Sequence, residues 1–75
     1  MISKKKFNTI GEIQRLQELA TLCKQDVGLH SLDGSIRIDA KSFVGMFALN
    51  FDEPILVVSE SKSFHKEIKD IGENL

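Results

Sequence analysis

The sequence predicts an α+β fold in which a four-stranded antiparallel sheet carries three helices on one face, in the order strand, helix, strand, strand, short helix, strand, helix. Three observations lead there. Apolar residues recur at helical spacing from Ile10 to Cys23 and then switch to alternation at every second position. Asp33-Gly34 separates two alternating runs, where a hairpin needs residues that tolerate positive φ. Ile55-Leu56-Val57-Val58 is apolar on both alternations, as the middle strand of a sheet must be. A chain of 75 residues makes one domain, residues 1–75. A domain of this size buries only about 60% of its unfolded surface, leaving little room for a deep substrate cavity.

Each element has its own signal. Ile2 to Thr9 reads as a weak strand, with Ile2 and Phe7 its strong apolar residues. In the next segment Ile10, Ile13, Leu16, Leu19, Ala20 and Cys23 form one face, and Glu12, Gln14, Arg15, Gln17, Glu18 and Lys24 form the other. Thr9 can cap this helix and Gly11 lies near its start. Val27 and Leu29 alternate with Gly28 and His30, and Ile36, Ile38 and Ala40 with Ser35, Arg37 and Asp39, giving a sheet with one apolar face. A short helix runs from about Ser42, an N-cap type, to Leu49. Gly45 inside it costs about 1 kcal/mol against alanine, so either the turn is short or something approaches its backbone. After the turn Asp52-Glu53-Pro54 and the strand Ile55–Val58, Phe64, Ile68, Ile71 and Leu75 predict a last helix that Gly72 frays or ends.

Composition excludes several function classes. With 28% charged residues and a net charge of -1, nothing recruits nucleic acid globally. Lys4-Lys5-Lys6 reads as a solvated strand edge. No apolar run crosses a bilayer, and the basic N-terminus lacks a following secretory core, so the expected location is cytoplasmic, without membrane association. A lone cysteine agrees, and Cys23 reads as a buried structural thiol. His30 and His65 read as solvated residues, and two separated histidines without spaced partners give no metal site; no cofactor is expected. No nucleophile, base and orienting group can be assembled from the pattern, so catalysis is not expected.

The most informative stretch is Ile38 to Leu49. Phe43, Val44, Met46, Phe47 and Leu49 cannot share one stripe of roughly 100°, so part of the cluster should face a partner. Ile36 through Leu49, centred on Asp39-Ala40-Lys41-Ser42-Phe43-Val44-Gly45-Met46-Phe47-Ala48-Leu49, resembles the Lys-Ser-Ile-Met-Gly-Leu-Leu-Ser-Leu segment of HPr, the histidine-containing phosphocarrier of the bacterial sugar phosphotransferase system. Element order and length extend the resemblance over nearly the whole chain. It implies an open-faced β-sandwich of four antiparallel strands with three helices on one side.

In that family the phosphoryl carrier is a histidine just before the first long helix, in a Gly-Leu-His-Ala-Arg-Pro type motif. The corresponding stretch here, Thr9-Ile10-Gly11-Glu12-Ile13-Gln14-Arg15, has no histidine, and the motif's alanine and proline are missing too. None of Glu12, Gln14 or Arg15 replaces imidazole in phosphoryl exchange. The resemblance thus implies a degenerate member with Gly11, Glu12, Ile13 and Gln14 as the altered active-site region. It also makes Ser42 a candidate for regulatory phosphorylation, since some members are modified on this serine by a dedicated kinase and then bind a regulator. A paralogue lacking the carrier histidine keeps only that regulatory role. The expected docking surface is Phe43, Met46, Phe47 and Arg15, though Arg15 is equally an ordinary residue of a polar helix face. Met46 is expected to be at least partly exposed, so that Met46→Asp spares the fold. Alternatives are a phosphoryl-transfer protein using His30 or His65, and a small structural or self-associating domain; the expected state is monomer or weak homodimer, with a kinase or regulator as protein partner.

Overall fold

A computed structural model describes residues 1–42 and 44–75, and of Phe47 only the backbone. The chain forms β1 (Ile2–Lys6), α1 (Ile10–Leu22), β2 (Gly28–Ser31), β3 (Arg37–Asp39), a 3₁₀ turn (Gly45–Ala48), β4 (Ile55–Val58), α2 (Lys62–Glu67), a second 3₁₀ turn (Ile68–Asp70) and β5 (Glu73–Asn74). The strands make one sheet in the order β3-β2-β4-β1-β5, with every described pairing antiparallel.

The α+β class and the antiparallel sheet match the sequence reading, but the element count differs. Among the described residues there are five strands where four were expected, and two α-helices with two 3₁₀ turns where three helices were expected. The last helix stops early because Gly72, at φ 70°, turns the chain back. Glu73 and Asn74 then pair with Lys6 and Lys5, so β1 is not the sheet edge along those residues. A Cβ at Gly72 would stand 2.8 Å from the Lys6 carbonyl oxygen, so the turn requires glycine twice over, by angle and by space.

β4 lies at the centre of the sheet, as its apolar run indicated. Ile55 and Val57 face the helices and are buried, while Leu56 and Val58 on the open face are half-buried. Leu16 and Ala20 of α1 and Phe64 and Ile68 of the α2 arm close the core over that inner face. Thr9 caps α1 as expected, and Ser61 does the same for α2. The hairpin at Asp33-Gly34 is present, but only Gly34 takes positive φ, at 75°. Ser31 and Ile36 close a four-residue loop, and the Asp33 carboxylate accepts from Ser35 N first, then from Ser31 Oγ and Ser35 Oγ, which together draw its pKa down to about 2.

Candidate functional site

At the end of β1 the chain enters α1 through Asn8 and Thr9. Thr9 Oγ1 accepts from Glu12 N at 3.1 Å, and Glu12 Oε1 accepts from Asn8 N at 2.7 Å and Thr9 N at 3.1 Å, a reciprocal capping box. Glu12 Oε2 reaches across 60 residues to accept from Gly72 N at 3.0 Å, tying the start of α1 to the turn before β5. The Asn8 amide first, with those of Thr9 and Gly72 and the nearby Lys5 ammonium, holds the Glu12 carboxyl below its ordinary value against the opposing effect of desolvation. A negative charge therefore already occupies the positive end of the helix. Gly11 and Gln14 are exposed, and Ile13 packs against the core. The Thr9-x-x-Glu12 spacing is the signal in the sequence that announces this box; the sequence reading took only the Thr9 cap from it.

Lys5 sits behind this cap. Fully buried on the inner sheet face, its ammonium donates to the Ile68 carbonyl and to Asn74 Oδ1. Burial lowers its pKa, while Glu12 and Asp70 pull the other way. The reading of Lys4-Lys5-Lys6 as a solvated edge thus fails at its middle residue. β5 covers that edge and the alternation of β1 turns Lys5 inward.

The loop after β3 holds Ser42. Its side chain is exposed, its amide donates to Asp39 O at 3.0 Å, and its Oγ accepts from Gly45 N at 3.3 Å. Gln17 Nε2 of α1 donates to the Lys41 carbonyl at 3.3 Å and anchors the loop. The expected helix from Ser42 to Leu49 is a single 3₁₀ turn, short as Gly45 suggested. Met46 is 3% exposed, contrary to its expected place on the surface. In this tighter turn Met46 and Leu49, three residues apart, both point inward, while Val44 is 80% exposed. Phe43 lies outside the described residues, and the Phe47 side chain likewise.

Arg15 is exposed and pairs with Glu18 at 3.4 Å. It lines a groove with Glu67, Asp70 and Ile71, whereas Gln17 serves the Ser42 loop, so the structure puts Arg15 and Ser42 on different flanks of α1. His30 is half-buried on the open sheet face, across from Leu56 and Arg37. His65, expected in solvent, is 8% exposed: its Nδ1 meets Ser3 Oγ at 2.6 Å and its Nε2 meets Ser59 O at 2.9 Å. Neither ring is at the N-terminus of α1. Cys23 is half-buried at the C-terminal cap of α1. Among the described residues no group of His, Cys, Asp or Glu is placed to hold a metal, and no helix is long and apolar enough to cross a membrane.

No protein-family model matches the chain, and no curated protein or solved structure matches it.

Proposed function

We propose that this chain is a degenerate HPr-like regulatory module of the cytoplasm, which binds a protein partner under control of Ser42 and does not carry phosphoryl groups on histidine. The observation that carries this reading is Glu12. Where a carrier of that type presents an imidazole and free amides to an incoming phosphoryl group, this chain offers a carboxylate already bonded to Asn8, Thr9 and Gly72. Repulsion replaces nucleophilic attack.

The serine arm of the reading rests on the segment resembling HPr and on two features of Ser42. Its side chain is accessible to a kinase, and its oxygen faces the Gly45 amide, a donor suited to a phosphate. With Met46 in the core, the partner surface is assigned to the exposed loop around Ser42 and Val44. Mass spectrometry of the protein isolated from its own cells tests this directly: the proposal expects phosphate on Ser42, and a chain modified at other serines while Ser42 stays bare would contradict it.

A further inference from the structure

Away from α1, the N-terminal half of β1, the α2 arm and β5 enclose an open pocket of about 610 Å³. Lys4, Lys62, Lys66 and Lys69 line it with Ser3 and His65. Lys62, His65, Lys66 and Lys69 stand at intervals of three, one and three, so one face of the α2 arm presents them together. Lys4 lines the rim from the strand, where its register opposite Leu56 puts it on the open sheet face. Four of the chain's ten basic residues share this pocket, yet no acidic side chain lines it, although the chain has eleven acids and a net charge of -1. Among the described residues the one ion pair is Arg15 with Glu18, so none of the four ammoniums has a carboxylate within bonding distance. Like charges three and four residues apart on a helix repel each other.

The floor of the pocket is fixed. The Ser59 carbonyl can only accept, so His65 Nε2 donates to it, while Nδ1 shares a hydrogen bond with the Ser3 hydroxyl. This relay fastens α2 to β1 across 62 residues of sequence. Asn74 Nδ2 donates to the Lys69 carbonyl at 2.8 Å and holds the far end of the arm. The lysine backbones are therefore set in place while their ammoniums remain exposed.

We infer that this pocket binds a phosphate-bearing anion along the lysine face of the α2 arm. Multiple charge on the ligand is what the ammoniums of Lys62, Lys66 and Lys69 select. Nucleic acid is disfavoured, because among the described phenylalanines, Phe7, Phe51 and Phe64, none lines the pocket to stack a base. The phosphate can come from a free small molecule or from a lipid headgroup. Met1, Ile2 and Leu75, exposed by 53%, 63% and 62% at the same pocket, would serve the second source by entering the bilayer surface.

Two titrations of the whole chain separate the sources. Inorganic pyrophosphate is followed by two-dimensional amide NMR, and vesicles of phosphatidylglycerol in phosphatidylcholine by co-sedimentation, each repeated with Lys66→Glu/Lys69→Glu and with the charge-matched control Lys24→Glu/Arg37→Glu. Amide dispersion checks that both variants fold. The inference expects pyrophosphate to shift Ser3, Lys4, His65 and Lys66 selectively, or the vesicles to retain the protein. In either case the pocket variant should weaken binding at least about tenfold and the control by less than about twofold. Binding by neither probe, or equal weakening by both variants, overturns it.

Discussion

The two ends of β1 treat positive charge in opposite ways. Toward α1, the Lys5 ammonium is withdrawn from water and held by a carbonyl and a side-chain amide, with Glu12 nearby closing the helix and gripping Gly72. Toward the chain start, Lys4 stays exposed at the rim of a pocket that three lysines of the α2 arm line without acidic side chains. The closed end contributes to stability, and the open end leaves its charge for a ligand. A buried charge must find partners within the fold, whereas an exposed one is solvated and free to meet an external partner.

This contrast breaks if substitutions at the two ends cost the same. Lys5→Ala should lower the unfolding free energy most, by about 3 kcal/mol, through lost packing of the aliphatic stem and two acceptors left without a donor. Gly72→Ala should follow at about 2 kcal/mol, since alanine resists the φ of 70° and its Cβ meets the Lys6 carbonyl. Lys66→Glu/Lys69→Glu should change stability by less than about 0.5 kcal/mol, because both side chains are exposed. Urea unfolding of the three variants beside the parent ranks them.

Acid and alkali sharpen the contrast further. The folded-state pKa of Glu12 lies below 4.5, so its contribution is fully present above that pH and is lost as pH falls through the lowered value. Glu12→Gln should flatten this part of the stability profile. Asp33 adds a second loss that extends down to about 2. Lys5 acts in the same direction at the alkaline end: between its lowered pKa and 10.5 the unfolded chain binds more protons than the folded one, so stability rises with pH there. Lys5→Met should remove that rise in chemical denaturation followed across alkaline pH.

Elements with a repeated pattern were legible in the sequence. The thirteen residues of α1 repeat one face, and β4 has no polar alternation to mislead. Two residues pairing as β5 carry no period, and their partner Lys5 looks polar in any pattern count, so neither the fifth strand nor the buried lysine could be seen. The docking prediction for Met46 failed for a geometric reason: it assumed α-helical spacing, while the chain makes one 3₁₀ turn that directs Met46 and Leu49 into the core. Met46→Asp should therefore unfold the domain, at a cost on the order of 4 kcal/mol, which circular dichroism would register as loss of structure. His65 escaped because burial of its ring is decided by Ser3 and Ser59, far away in sequence or outside the helix pattern. At the candidate site, the Thr9-x-x-Glu12 spacing is legible in the sequence, but the reach of Glu12 to Gly72 depends on tertiary contact.

Phosphoryl transfer is the most direct measurement of the central claim, that Glu12 has closed the position where a carrier would hold its phosphate. The protein is incubated with phosphoenolpyruvate and the first enzyme of the sugar phosphotransferase system, and phosphorus NMR follows any phosphohistidine. The account predicts none on His30 or His65. Stoichiometric phosphate on either ring would contradict it.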